Sequence, residues 1–197
     1  MEEKIKVMRA KPEHVSYVDI ILKTIEEASK IRGTGIARRN PEYVKQKIME
    51  GKAILALTES GVFAGFCYVE TWSDKKFVVH SGLIVDEKFR GIGLAKAIKK
   101  SAFDLCRERY PQSCIFGLTT GAAVMRINHE LGYRAVTFAE LTSDDDFWKG
   151  CSTCVNHEIL VHAKRRFCMC TAMLFDPNEK KKDVMEGINL DRIEFVS

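Results

Sequence analysis

Residues 77 to 109 constrain the fold more than any other stretch. The apolar run from Phe77 to Val85 reads as a buried strand. A short polar turn follows, and Arg90-Gly91-Ile92-Gly93-Leu94-Ala95 then opens a helical pattern that continues to about Arg109. Strand, glycine turn and helix start, in that order, make an anion site. The N–H groups of a first helical turn have no intrahelical acceptor, and the helix dipole favours negative charge there. Gly91 and Gly93 allow a positive φ and a close approach of backbone to a bulky phosphate. The Gly-x-Gly pair lacks the third glycine of the dinucleotide fingerprint, and no Lys-Ser/Thr follows as in a P-loop. An ordinary strand-to-helix turn would show the same two glycines.

The rest of the chain places this stretch. Ile5 to Arg9 alternates as a first strand, and Pro12 opens a helix striped by Val15, Val18, Ile21, Leu22, Ile25 and Ala28. Residues 31 to 39 break the period and read as a loop. Asn40 and Pro41 are the N-cap and first residue of a second helix ending near Gly51. Ala53–Thr58 and Val62–Trp72 form a hairpin about Glu59-Ser60-Gly61, and Ser73-Asp74-Lys75 turns the chain into the Phe77–Val85 strand. Leu94, Ile98, Ala102 and Leu105 stripe the central helix, and Tyr110-Pro111 stops it. Then come a strand Cys114–Thr119, a helix Ala122–Leu131 closed by Gly132, and a strand Tyr133–Phe138. The order β-α-α-β-β-β-α-β-α-β predicts an α/β fold with a mixed sheet and helices on both faces.

The motif Arg90-Gly91-Ile92-Gly93-Leu94-Ala95, after Leu83-x-Val85 on a strand and Asp86-Glu87 at its end, resembles the pyrophosphate loop of the Gcn5-related N-acetyltransferase (GNAT) superfamily. The resemblance covers roughly residues 1–160. It implies a mixed, mostly antiparallel sheet, a splay at the fourth strand, and acetyl-CoA or another acyl-CoA as donor. The implied contacts are the pyrophosphate on Gly91 to Ala95, with Ile92 and Leu94 in the loop and Arg90 serving loop or ligand. Leu83, Ile84 and Val85 would pair with the pantetheine arm, with an oxyanion donor N–H near Val85. Phe116-Gly117-Leu118-Thr119-Thr120, with Gly132-Tyr133, is similar to the transferase domain of N-acetylglutamate synthases, which open arginine biosynthesis.

That resemblance implies N-acyl transfer to a primary amine, most readily the α-amine of an acidic amino acid such as glutamate. A protein or peptide N-acetyltransferase and a non-catalytic acyl-CoA-binding module are the rival readings. Arg32, Arg38 and Arg39, in the segment that lines the acceptor site in that family, would clamp carboxylates, and Thr119 would lie beside them; a solvated basic loop would look the same. Base candidates are His80 on the fourth strand, Glu70 on its neighbour and Glu87 at the loop. A histidine at such a strand position is more often satisfied by a hydrogen bond, and a carboxylate like Glu70 more often lies on a hairpin surface. Many members carry a tyrosine four residues before the glycine ending the helix after the fifth strand. Asn128 stands there and can hydrogen-bond sulfur but not protonate it. Thr120-Gly121 replace the customary asparagine at that helix start.

Cys151-Ser152-Thr153-Cys154 and Cys168-Met169-Cys170 are the remaining constellation. A hairpin over 147–177, closed from Val155 to Phe167, would set Cys151, Cys154, Cys168 and Cys170 around a structural zinc, with His157 and His162 as substitutes. Unligated reduced thiols, and a redox or disulfide role, fit the same sequence. Cys67, Cys106 and Cys114 read as core thiols. Seven cysteines, an odd and uneven set, argue against a secreted disulfide framework and for a cytoplasmic setting. A net charge of +4 is too small to argue for nucleic acid and suits an anionic small molecule. No apolar run reaches membrane-spanning length, and Met1-Glu2-Glu3-Lys4 does not begin a signal peptide. The expected partners are acyl-CoA and an amine, without nucleic acid or membrane, and with homodimerisation left open. Residues 178–197 read as a solvated polar tail.

Overall fold

A computed structural model describes residues 3–32 and 39–179, the side chains of Ile31 and Arg32 excepted. Loop residues 33–38, with Arg38, and tail residues 180–197 lie outside the described residues.

The chain runs β1 (Ile5–Arg9), α1 (Val18–Arg32), α2 (Pro41–Met49), β2 (Ala53–Thr58), β3 (Phe63–Trp72) and β4 (Phe77–Val85). It continues with α3 (Leu94–Arg109), β5 (Cys114–Thr119), α4 (Ala122–Glu130), β6 (Arg134–Val136), α5 (Asp145–Lys149), α6 (His157–His162) and β7 (Thr171–Phe175). The helix expected from Pro12 begins as a 3-10 helix, Pro12–Tyr17, that leads into α1. Asn40 caps α2 as expected, accepting from the Glu42 N–H at 2.9 Å.

The strands form one seven-stranded sheet in the order β1-β2-β3-β4-β5-β7-β6. Its pairs are antiparallel except β4–β5. α3 covers one face. Ile98, Ala102 and Leu105, fully buried, pack there against Ile54, Val69 and Val78. Side chains the size of Ile98 and Leu105 contribute about 1.5–3 kcal/mol each as an upper figure. The opposite face carries two separate clusters. One joins Ile21, Ile25, Val44 and Ile48 of α1 and α2 to Leu55, Phe66 and Ile84. The other joins Trp148 and Leu160 of α5 and α6 to Phe77, Phe116 and Leu174. The separation between these two clusters is where a cleft opens.

The segment after β6 corrects the sequence reading in two ways. The predicted strand Tyr133–Phe138 shortens to Arg134–Val136, because Phe138 turns into a 3-10 helix and buries against Trp148. The predicted cysteine-rich hairpin of 147–177 is absent. Within residues 155–167, meant to close it, His157–His162 form α6, which buries Leu160 and leaves Val161 in solvent, as Val155 before it is. One apolar contact per turn is helix spacing, and a hairpin would need alternation. Lys164 and Arg165 take positive φ and turn the chain back, and Arg165 pairs with Asp145 at 2.5 Å. Cys168 and Cys170 therefore precede a strand and do not lie on one. The strand itself, β7, inserts between β5 and β6, with Ala172, Met173 and Leu174 all buried. A strand covered on both faces shows a continuous apolar run without alternation.

Candidate active site

β4 and β5 run parallel and pair over only three positions, Phe77 with Cys114, Val78 with Ile115 and Val79 with Phe116. From His80 to Val85 the β5-facing edge of β4 has no strand partner among the described residues. On its other side β4 stays paired with β3 across a bulge: Tyr68 faces Ser81 and Phe66 faces Ile84, so Gly82 and Leu83 oppose Cys67. Gly82 sits at φ 64°, and a Cβ there would lie 2.7 Å from the Tyr68 ring. Only glycine fits, and the bulge re-aims the strand at the point where it leaves β5.

The end of this free edge leads into the glycine loop. Asp86 caps a 3-10 turn, Glu87–Phe89, by accepting from the Lys88 N–H at 3.0 Å. Arg90 Nε donates to the Val85 carbonyl at 3.2 Å. The guanidinium thus closes the loop on the strand. Gly91 and Gly93 take φ of 85° and 84°, and a Cβ at either would meet nothing within 4 Å. Both are fixed by backbone conformation in a place open to a ligand. Gly93 is the N-cap of α3 and has no side chain to offer, so the N–H groups of Leu94 and Ala95 are left to an outside acceptor. Ile92 is 64% exposed beside them.

A cleft of about 630 Å³ occupies the splay. Leu83 and Gly82 line it on the β4 side, and Thr119, Thr120, Gly121 and Val124 on the β5–α4 side. Thr119 Oγ1 accepts from the Gly121 N–H at 3.0 Å, shaping the entry to α4. Asn128, 1% exposed, lines the floor; its Nδ2 donates to Met173 Sδ at 3.6 Å, and its Oδ1 has no partner among the described residues.

Glu70 lies at the other end of the cleft, on β3. Its carboxylate accepts from the Tyr43 hydroxyl at 2.5 Å and from Ser81 Oγ. Burial, then the charge of Glu70, holds Tyr43 well above the usual phenol range. Arg39 lies in the same pocket and hydrogen-bonds Tyr68, whose hydroxyl is also raised by burial and Glu70. Trp72 completes this end, packed edge-on against Phe147 at 5.7 Å; its buried Nε1–H has no partner among the described residues. Of the three arginines expected at the acceptor, the structure places Arg39 in the cleft and Arg32 at the C-terminus of α1; Arg38 lies outside the described residues.

His80 faces the α3 side of the sheet and is 9% exposed. Lys99 Nζ lies 3.1 Å from its Nδ1, and its Nε2 lies 3.3 Å from Cys106 Sγ. When Lys99 is charged it can only donate, and then Nδ1 accepts and Nε2 carries the proton. Burial, then the charge of Lys99, pushes His80 well below the usual imidazole range. Both nitrogens are engaged, and the ring is neutral at pH 7.

Cys151, Cys154, Cys168 and Cys170 do come together, around a cavity of about 30 Å³ shared with His157, Trp148 and Leu160. All are free thiols. Asn156 N–H donates to Cys154 Sγ at 3.4 Å, and Cys168 Sγ donates to the Asn156 carbonyl at 3.7 Å. Burial, followed by the neighbouring thiols, pushes Cys170 up to about 12. Cys151, Cys168 and Cys170 pack on the α5–α6 core as small apolar groups. Among the described residues no group of three or more His, Cys, Asp or Glu side chains is arranged to hold a metal ion. The zinc expectation has no support from this arrangement.

Sequence reasoning missed Lys99, Tyr43 and Trp72. Lys99 carried a signal, since it borders the Ile98–Ala102–Leu105 stripe where α3 should be apolar. Tyr43 and Trp72 carried none, because only the packing of α2 and α5 on β3 brings them to the cleft.

None of the family models matches the chain, and no curated protein matches it. Solved structures match it in fold. N-acetylglutamate synthase from Neisseria gonorrhoeae, complexed with coenzyme A and N-acetyl-glutamate, aligns with a TM-score of 0.62 at 14% identity, over 91% of this chain and 36% of that one. The present chain thus spans about a third of that synthase. Diaminobutyrate acetyltransferase from Paenibacillus lautus, in complex with L-2,4-diaminobutyric acid and coenzyme A, aligns with a TM-score of 0.60 at 11% identity, over 91% and 98%. A GNAT-family acetyltransferase from Staphylococcus aureus Mu50 aligns with a TM-score of 0.64 at 13% identity, over 89% and 100%. These likenesses lie in the fold and not in the sequence: the chain has the fold of the Gcn5-related N-acetyltransferases.

Proposed function

We propose that the protein is an acyl-CoA-dependent N-acyltransferase that moves an acetyl group to the α-amine of a small acidic amino acid such as glutamate. The observation that carries this reading is a single cleft joining two unlike ends. One end is the open edge of β4 at Gly82 and Leu83, on the strand that leads into the glycine loop, and the other is a carboxylate with an arginine. The backbone N–H groups of Gly91 to Ala95 suit a pyrophosphate, and the free edge of Leu83 to Val85 suits the amides of a pantetheine arm. Arg90 supports the loop by holding the Val85 carbonyl. Asn128 offers Oδ1 to a donor on the arm.

At the acceptor end, Glu70 is the general base, held in place by Tyr43 and Ser81. Its position, opening onto the cleft, favours it over His80, whose nitrogens are both occupied. Arg39 and the Trp72 Nε1–H bind the acceptor's carboxylate. The neighbours support small amino-acid acceptors: one was solved with N-acetyl-glutamate and another with L-2,4-diaminobutyric acid. An acidic acceptor would align the chain with the opening step of arginine biosynthesis. Incubation of the protein with acetyl-CoA or succinyl-CoA and each free amino acid, followed by release of thiol, tests this. Turnover with glutamate or aspartate above all others supports the reading. Preference for a basic amine or a peptide removes the acidic acceptor, and no turnover with any amine leaves an acyl-CoA-binding module.

A further inference from the structure

Lys99 stands in the second turn of α3 and is 3% exposed. Besides His80 Nδ1, its Nζ approaches the Tyr133 ring, 5.6 Å from the centroid. The groups that face it are His80 from β4, Cys67 from β3, Cys106 from α3 and Tyr133 from the segment before β6. No carboxylate acts on it among the described residues. Burial without a counter-ion weakens a lysine's hold on its proton, which suits the group to proton transfer. Lys99, His80 and Asn128 all line the cleft beside the open edge of β4. His80, locked by Cys106, accepts one N–H of Lys99, which fixes the amine and leaves its other N–H bonds for the cleft.

We propose that Lys99 gives a proton to the sulfur that leaves when the thioester is broken. The inference rests on the acyl-transfer reading above. The substrate ammonium first loses a proton to Glu70. The amine nitrogen then bonds to the carbonyl carbon, the C–S bond breaks, and its electron pair goes to sulfur. The Lys99 ammonium protonates that sulfur, yielding the thiol and a neutral lysine. The nitrogen's second proton is lost as the amide forms. Of the two protons released from nitrogen, one restores Lys99 through solvent and the other leaves. Asn128 has no acidic proton, so it cannot serve here. Burial lowers the proton affinity of Lys99, which eases the transfer. His80 is then a positioning residue.

The experiment compares Lys99→Met with wild type on two donors, acetyl-CoA and the selenoester of its selenium analogue, whose selenolate departs without a proton. The expected result is a loss of about 100-fold in kcat on the thioester, with KM for acetyl-CoA nearly unchanged, and a loss under about threefold on the selenoester. If Lys99→Met does not fold, Lys99→Gln carries the same comparison. Equal losses on the two donors, or none on the thioester, overturn the inference while the transferase reading stands. A wild type that turns over neither donor with any amine overturns both.

Discussion

The two ends of the cleft are built differently. The donor end comes from one continuous run: the free edge of β4, the loop closed by Arg90 and the first turns of α3 lie within residues 80 to 99. The acceptor end is gathered from distant pieces: Arg39 before α2, Tyr43 in α2, Glu70 and Trp72 on β3, and Phe147 in α5. In the proposed reading the donor end relies mainly on backbone N–H groups and so tolerates many side chains. The acceptor end relies on particular side chains whose positions depend on packing. Changes at the two ends should therefore move different constants.

The largest effect is expected at the base. Glu70→Gln keeps hydrogen bonds to Tyr43 and Ser81 but cannot take a proton, and kcat should fall about 10²–10⁴-fold with little change in the affinity for coenzyme A. Steady-state kinetics beside a calorimetric titration checks this; a kcat within a few-fold of wild type would move the base elsewhere. Gly93→Asp comes next. It sets a carboxylate against an anion at a backbone of φ 84°. Coenzyme A affinity should drop by well over about tenfold, while the acceptor KM holds in whatever turnover remains. Unchanged affinity in calorimetry would remove the loop from the donor site.

Arg39→Ala should do the reverse. Losing one charge-assisted hydrogen bond costs roughly 1.5–3 kcal/mol, about ten- to a hundredfold in acceptor KM. The KM for acetyl-CoA should stay, and Arg39→Lys should rescue only in part. An acceptor KM that does not respond would cancel the contrast between the two ends.

The smallest effect concerns the floor that both ends share. His80 is held neutral, with its affinity for protons depressed in the folded state. The unfolded chain therefore binds the proton more readily below the ordinary imidazole value of about 6.5. The stability present above that value should be lost as pH falls through the acidic range. Melting temperatures measured from pH 7 down to pH 5 should decline, and His80→Gln should flatten the slope. Equal slopes would place the acid sensitivity on other groups.

Legibility followed the same division. The loop could be read because its requirements are local: two positive-φ glycines, an apolar strand before them and a periodic helix after them. Glu70, His80 and Asn128 were visible as residue types on the right elements, but their surroundings were not. Whether a histidine is a base or a locked neutral ring depends on Lys99 and Cys106, which reach it only when α3 packs on β4. The cysteines show the limit most sharply. Their spacing suggested a metal-binding hairpin, whereas α6 forms between the pairs and the thiols pack against Trp148 and Leu160. Leu160 decides this, because its burial on the α5–α6 core rewards a helical turn over strand alternation.

The sequence by itself determined the element order through β5, the glycine turn that starts α3 and the turn chemistry at Asn40-Pro41 and Gly93. Each of these depends on neighbours within a few residues, where dihedral preferences and hydrophobic periodicity act. Only the tertiary structure decided that β7 enters between β5 and β6, and that β4 parts from β5 after three rungs. It likewise placed Lys99 against His80 beneath the cleft. These are pairings across tens of residues, chosen by how apolar faces close over one another, and buried polar groups then take whatever partners that closure supplies.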